Sequence, residues 1–412
     1  MNRKSFIIAT ICTIVQYYDY HLFGFLAARI SKHFFSSGDV VVQLLRTYMI
    51  MSIAVTAKPL GALILGRIGD IYGRFATIII SLSGTAIASL VISLSPGYEK
   101  IGIISAIILL VCRMCIASLV SSGTDGIRIY IFEKIRADKQ CLGNGMVAFS
   151  TQVGSFLASL SAWFFSLDFM PYYSWRIAFF TGALMGFGAI ILRMKYQIQN
   201  DDDNKQDPNY ETYKDQNTLR IVRNNWQLFL LCAVLAGCIG STYQFIIIFF
   251  GTYNFEILKL VDHSRMQLYT TIGVVIYMIF SVIGGASADV FGRLLVARVA
   301  SALLALLSII FSIFIAYDSF SLSMYFFMVV ILPFITMPSL TFLKQSLPKV
   351  IRYRLFSLAH AFGSILISAP TAYISTSIYY YTNISWLPMG YFFISVIVMI
   401  ITVNRLSKLS LA

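Results

Sequence analysis

Charge is what this sequence has least of. Only 12% of its 412 residues are Asp, Glu, Lys or Arg, about half the share of a soluble globular domain. With 58% hydrophobic residues and a mean hydropathy of +0.78, the polar surface cannot cover a water-soluble body. Metal ligands are also scarce: the four histidines and six cysteines are scattered, and no cluster has metal-ligand spacing. There is no Walker-type Gly-Lys-Ser/Thr loop and no nucleophile–base constellation. Neither an enzyme nor an ATP-driven pump is expected, and no cofactor. Cys112 and Cys115 imitate a redox pair, but they lie in a membrane-length apolar run without a βαβ pattern. Buried, unpaired cysteines are expected there. Arg3 and Lys4 precede a long apolar run that lacks a small-residue cleavage site, so a cleaved signal is not expected either.

Apolar length is plentiful. A bilayer core of ~30 Å takes about 20 residues of helix. On that scale spans are predicted at 5–30, 44–66, 75–95, 101–123, 143–166 and 174–193, then at 226–250, 267–288, 295–316, 322–343, 354–378 and 386–404. The expected fold is an all-α membrane protein of twelve transmembrane helices in two six-helix bundles. The bundles would comprise residues 1–195 and 226–412, joined by a polar linker over 196–225 that holds Asp201, Asp202 and Asp203. Lys and Arg favour one set of loops, including Arg67, Arg74, Lys134, Arg136, Arg293, Arg352 and Arg405. By the positive-inside rule that set is cytoplasmic, with both termini and the linker. The net charge of +13 is then a topology signal and implies no nucleic-acid partner.

One stretch organises the chain. Gly61–Thr77 reads GALILGRIGDIYGRFAT, in which Gly66, Asp70, Gly73 and Arg74 interrupt two apolar runs. Gly284–Arg298 reads GGASADVFGRLLVAR and returns Asp289, Gly292 and Arg293 in the same relative places, each turn following the second span of its group. Such a repeat marks pseudo-symmetric halves, an architecture that places a solute near the midplane between them.

The repeated GxxxDxxGR turn resembles the signature loop of the major facilitator superfamily. Further stretches resemble its metabolite:proton symporters, the subfamily holding proline/betaine transporters. Tyr17-Tyr18-Asp19-Tyr20-His21-Leu22-Phe23-Gly24-Phe25 is similar to their first-span E-W-Y-D-F-x-x-[YF]-G, and Lys58-Pro59-Leu60-Gly61-Ala62 to R-P-L-G-A. Arg113 and Glu133 match the ends of the fourth-span motif. Trp175-Arg176-Ile177-Ala178-Phe179 is similar to W-R-I-P-F, and Ile351-Arg352-Tyr353-Arg354 with Ser357-Leu358 to V-R-Y-S-G-x-S-L. The resemblance implies alternating-access transport of a small zwitterionic or anionic metabolite with protons, in a bacterial inner membrane. Gln16 and Gly123, however, stand where the family has carboxylates. That departure leaves open a proton-independent uniporter or exchanger, or a non-transporting sensor with the same fold.

An ionised side chain at bilayer depth costs at least ~2.5–3.5 kcal/mol and calls for a partner or a wet cavity. Asp19, Lys58 and Arg113 are therefore expected to line a central cavity, with Gln16 and Tyr18 beside them. Asp19 would accept a proton or cation, while Lys58 and Arg113 would attract a substrate carboxylate. Tyr17, Tyr18 and Tyr20 offer faces for a quaternary ammonium, although three aromatics around one turn cannot all face one cavity. Asp125 and Arg128, spaced i,i+3, are expected to pair on one helix face, with Glu133 nearby. Trp175 and Trp386 read as interfacial anchors. Asp70 and Asp289 are expected at the cytoplasmic gate, Asp289 near Gly143, where a carboxylate at a helix N-terminus gains about 0.3–1 kcal/mol, or up to ~2 when partly buried.

Overall fold

The computed structural model describes residues 3–35, 39–167, 169–195, 222–347 and 352–409. The linker over 196–221 lies outside the described residues, as do the side chains of Gly66, Asp70, Gly73, Arg74 and Glu133. In lipid a backbone must satisfy its own hydrogen bonds, so long apolar runs fold as helices. The first span is Arg3–Phe25 continued by Ala27–Phe34. Val40–Ala54 opens the second, its N-terminus capped by Asp39, whose side chain accepts from the Val41 N–H at 2.8 Å. The fourth, fifth and sixth are Ile103–Lys134, Gln140–Phe164 and Trp175–Lys195.

The second bundle repeats the count. Its seventh span runs from Trp226–Tyr243 through two π-helical segments, Gln244–Phe249 and Tyr253–Ile257. His263–Phe291, Arg293–Ala316 and Leu322–Gln345 follow. The eleventh span is Arg352–Gly363, the π segment Ser364–Ser368 and Thr371–Thr382, and Leu387–Leu409 is the twelfth. Gly292 turns the chain between the eighth and ninth spans at φ +99°, a conformation that needs glycine. That explains the glycine of the second Asp-x-x-Gly-Arg turn.

The first copy of that repeat departs from expectation. Lys58–Leu94 is one helical element, where the sequence suggests two helices parted by a charged turn. Its two ends still reach the same neighbour. Ser81 Oγ donates to the Leu119 carbonyl at 2.8 Å, and a Cβ on Gly61 would run into the adjacent Ser118 carbonyl. Twenty residues of straight helix would part them by about 30 Å. The chain therefore reverses between Leu65 and Ile79, and this element supplies both the second and the third span.

Nine helical segments among the described residues are long and apolar enough to cross a bilayer. Three spans are not among them: the third, which enters only as the shorter apolar helix Ile79–Leu94, and the first and fifth, for a physical reason. They carry the polar side chains: Gln16, Asp19 and His21 on the first, and Asn144, Thr151, Gln152, Ser155 and Ser159 on the fifth, all buried. Polar groups at this depth must face protein rather than lipid. The fifth span lies along the eighth, where a Cβ on Gly145 or Gly285 would strike the backbone of Ser281 or Cys141. Two helices meet there backbone to backbone, as small residues permit in membranes.

Trp175 corrects a reading of the sequence. It is fully buried, edge-on to Phe34 and Phe179 with its ring 5.2 Å from His33, so it is not an interfacial anchor. The neighbouring Arg176 ties the sixth span to the carbonyls of Ser93 and Ser95 at 2.8 and 2.7 Å. Trp175→Ala should cost about 3–5 kcal/mol through the void it leaves. Thermal unfolding of purified protein would check this, and a loss within 1 °C would restore the anchor reading. Trp386 remains 41% exposed, as an anchor should be.

Candidate functional site

A small cavity of about 10 Å3, the room of one water, lies where the two bundles meet. Tyr20, His21, Gly24, Met51, Val55 and Arg113 line it from the first bundle, and Gln244, Ile248 and Ala369 from the second. Gln244 opens one π segment and Ala369 follows another. Such bulges interrupt regular helix at functional positions more often than elsewhere.

Arg113 is 2% exposed. Its Nη atoms donate only to the backbone carbonyls of Asp19 and Tyr20, at 3.5 and 3.3 Å, and its Nε has no partner. The guanidinium lies 4.5 Å from the centre of the Phe23 ring and 5.7 Å from that of Tyr20. Lys58, one helical turn past Val55, holds its Nζ 5.4 Å from the centre of the same Tyr20 ring. Two buried cations thus rest on one aromatic side chain. Among the described residues neither has a carboxylate in contact.

Of the five residues expected at the cavity only Arg113 lines it; Lys58 stands behind Tyr20, and the other three point elsewhere. Asp19 is fully buried, accepts from Ser89 Oγ at 2.8 Å and faces Gly182 of the sixth span. Its second carboxyl oxygen has no partner. Gln16 donates to Ser81 Oγ at 2.7 Å. Tyr18 bonds the Ala178 carbonyl and the hydroxyls of Ser161 and Thr181 at 2.9–3.2 Å. All three face the interior of the first bundle. The expectation that Asp19 lines the cavity is corrected by helical phase: it points away from the face that carries His21.

His21, on the cavity side, is the residue that the sequence undervalued. Its Nδ1 has no partner, and its ring sits 5.5 Å from Tyr17 and 5.7 Å from Tyr243. Tyr243 OH in turn donates to Gln152 Oε1 at 2.9 Å and meets Ser155 Oγ at 3.0 Å. Closer to the face that carries the N-terminus, Asp125 does pair with Arg128 at 3.5 Å, and it also meets His360 Nδ1 of the eleventh span at 3.2 Å. Arg128 donates to Tyr17 OH. The i,i+3 pair therefore belongs to a network that crosses between bundles.

Contacts between the bundles close the molecule on both sides of the cavity. On the amino-terminal face Asp289 accepts from the backbone N–H groups of Cys141 and Leu142 at 3.2 and 2.8 Å, at the start of the fifth span. Arg293 braces Asp289 and donates to the Ala137 carbonyl. Nearby, Lys344 is 2% exposed, donates to Asn144 Oδ1 at 2.6 Å and lies against the rings of Phe132 and Phe356. On the opposite face Lys32 pairs with Glu256 at 2.9 Å, and Gln267 donates to the Phe25 carbonyl at 3.2 Å. Halfway between, Ser52 Oγ donates to the Ala369 carbonyl at 3.0 Å. Lys344 and His360 had no signal in the sequence, because their partners lie 200 and 235 positions away.

Comparison with known proteins agrees with this architecture. A family model described as the Major Facilitator Superfamily matches residues 9–370. The chain is similar to the proline/betaine transporter of Escherichia coli (strain K12), at 26% identity over 310 residues, covering 71% of this chain and 60% of that protein. It thus spans about three-fifths of that relative's length. It is also similar to the citrate-proton symporter of Klebsiella pneumoniae, at 24% identity over 380 residues, covering 90% of this chain and 84% of that protein. The crystal structure of D-xylose-proton symporter has the same fold, with a TM-score of 0.75 at 14% identity over 98% of this chain and 97% of that one.

Proposed function

Because the chain belongs to the Major Facilitator Superfamily, we propose that it is a secondary transporter moving a small zwitterionic or anionic metabolite by alternating access, coupled to protons. The observation that carries this reading is that two neighbouring side chains, Arg113 on the cavity wall and Asp19 turned into the first bundle, each keep a polar atom without a partner. Arg113 lines the cavity and has a bare guanidinium Nε, and Asp19, whose backbone carbonyl Arg113 bonds, keeps a bare carboxyl oxygen inside the first bundle. Arg113 is the solute's anchor and Asp19 the proton's. A protonated Asp19 is neutral and can remain buried without a counter-ion. Once ionised it needs one, and the nearest cation is the guanidinium, which already bonds its backbone carbonyl. Proton loss would then draw Arg113 off the solute. Lys58 adds positive charge at the Tyr20 ring beside the cavity, while Gln16 and Tyr18 position the first span against the third, fifth and sixth.

Asp289, Gly292 and Arg293, with Gly66, Asp70, Gly73 and Arg74 as their counterparts, would form the gate on the amino-terminal face. We take that face as cytoplasmic on the placement of Lys and Arg, in a bacterial inner membrane. The two lobes would comprise 1–195 and 226–412, with 196–225 as linker. The reading is of a carrier rather than an enzyme, with a solute and protons as its partners.

Vesicle uptake with and without an imposed pH gradient tests the coupling. In Asp19→Asn, gradient-driven accumulation should vanish while solute–solute exchange persists. A second reading, a uniporter or exchanger, is favoured by Gln16, whose amide bonds Ser81 where relatives of this subfamily carry a carboxylate. Wild-type uptake that ignores the gradient would establish it. A sensor would take up nothing.

A further inference from the structure

We propose that Lys344 is a second proton-linked residue of the transport cycle. Its amine gives up a proton to water when the seam between the fifth and tenth spans closes, and takes one back when the seam opens. The proposal rests on the reading of the amino-terminal face as the cytoplasmic gate. Lys344 lies near the end of the tenth span, and its place in the seam is fixed from both directions. The adjacent Gln345 donates to Gln140 Oε1 at 2.7 Å. Asp289 holds the N–H groups of Cys141 and Leu142 just ahead of Asn144.

The hydrogen bonds around the amine decide which charge state fits. Lys344 is 2% exposed and donates to Asn144 Oδ1 at 2.6 Å. The Asn144 amide in turn donates to Thr341 Oγ1 at 2.7 Å, and that hydroxyl donates to the Met337 carbonyl at 3.1 Å. The chain runs one way, so it offers Nζ a single neutral acceptor. An ammonium carries three donors, and two of them stay unmet in the closed seam. A neutral amine keeps the Asn144 bond and loses far less by burial, because desolvation penalises charge.

The surrounding charges act in the same direction. Arg128 and Asp125 of the fourth span, the Cys141 thiol of the fifth and Arg352 of the eleventh all act on Lys344. Asp125, the carboxylate of this group, is already paired with Arg128 and His360. Asp289 and Arg293 of the eighth span pair with each other. Arg128 and Arg352 keep their charge throughout. Rings offset part of this, since Nζ lies 5.3 Å from the centre of Phe132 and 5.7 Å from that of Phe356. However, Arg352 lies over the same Phe132 ring at 5.6 Å, and His360 stacks on Phe356. On closure an N–H bond of the ammonium breaks, its electron pair stays on Nζ, and the proton passes to cytoplasmic water. Opening rehydrates the amine and recharges it. An alkaline cytoplasm then favours closure, so the return of the carrier responds to cytoplasmic pH independently of Asp19.

Spin–spin distance measurements on the purified full-length protein in nanodiscs test this. Nitroxide labels are placed by Lys139→Cys and Val290→Cys, exposed positions on either side of the seam, in a Cys115→Ser, Cys141→Ser background. Between about pH 6 and pH 9 the open-to-closed ratio should rise by up to about tenfold for each unit by which pH falls, as linkage to one proton requires. The sign follows because the open state holds the extra proton. Lys344→Met carries no charge and should keep the seam closed across the range, while Lys344→Arg should keep it open. Asn144→Asp supplies the missing carboxylate, so it too should stay closed and lose the slope. That variant decides the matter if the Lys344 variants do not fold. A lysine that only braced the seam would shift the populations equally at every pH. A wild-type ratio constant within about threefold over this range, or a slope retained in Lys344→Met or Asn144→Asp, would overturn the proposal. A seam that opens without a slope sinks the proposal and spares the gate. A seam that never opens sinks both, and vesicle uptake still decides the carrier reading.

Discussion

Arg113→Ala is expected to abolish solute uptake and to weaken binding by about 30-fold to several thousandfold, because truncating one partner of a buried charge pair costs about 2–5 kcal/mol. The structural contribution of the side chain is small by comparison. Its bonds to the Asp19 and Tyr20 carbonyls are long, at 3.5 and 3.3 Å, so each holds the first span weakly. The unfolding temperature should therefore change little while affinity collapses. Arg113→Lys should recover only part of the loss, since an ammonium cannot present two parallel donors to a carboxylate. The Ala substitution should also uncouple Asp19, whose ionised form would lose its nearest cation. Uptake and binding measured side by side decide the matter. Binding within threefold of wild type in Arg113→Ala would leave the residue only a structural tie, and the assignment of the cavity would fall with it.

The fold was legible because two independent regularities agree. Apolar length marks the spans, and the Asp-x-x-Gly-Arg turn recurs 219 positions apart at Asp70 and Asp289. A duplicated bundle predicts where Asp289 should stand, since each half must close against the other in the same way. Its carboxylate stands at the start of the fifth span, one residue from Gly143 at its nearest. The weaker spans were readable in a different sense. The first and fifth are too polar to look like lipid-facing helices, and that polarity is what places them at the junction.

The site itself was legible only in part. Asp19 and His21, two residues apart, lie on opposite sides of a helix, so one must face the bundle and the other the cavity. Both are polar, and hydropathy cannot say which is which. Tertiary packing decides it, with Ser89 and Gly182 surrounding Asp19. Asp125 presents a related difficulty. Its neighbour Arg128 gives a sufficient local account of the carboxylate, which hides the second partner, His360, on a helix of the other bundle. Lys344, just past the expected end of the tenth span at 343, is a buried link to Asn144. A cross-bundle contact leaves no periodic trace in either helix. Trp175 fails for a similar reason: an aromatic at a helix start suits an interface equally well as a core.

Gly285→Val should hold the amino-terminal face open. A Cβ at this position would stand inside contact distance of the Cys141 carbonyl and the Leu142 backbone. A backbone cannot yield as a flexible side-chain tip would, so the eighth span has to withdraw from the fifth. The same contact surface holds Asp289 against the N–H groups of Cys141 and Leu142, and that latch would be lost together with the close approach. Asp289→Asn isolates the latch from the steric effect. It removes a charge held at a helix N-terminus, worth up to ~2 kcal/mol when partly buried, which is about a 30-fold shift between closed and open populations.

A native reporter lies in the seam. Cys141 is fully buried, its Sγ 3.1 Å from Thr341 Oγ1, and parting the helices exposes it. In a background carrying Cys115→Ser, which removes the exposed thiol, a water-soluble maleimide should label Cys141 slowly in the parent protein. Labelling should be about tenfold to thirtyfold faster in Asp289→Asn and fastest in Gly285→Val, with the unfolding temperature nearly unchanged in Asp289→Asn. Uptake should fall in the same order, because a carrier that cannot close one face cannot complete its cycle. Labelling of Cys141 at the parental rate in both variants would show that the seam opens without regard to either contact, and the gate would have to be sought elsewhere.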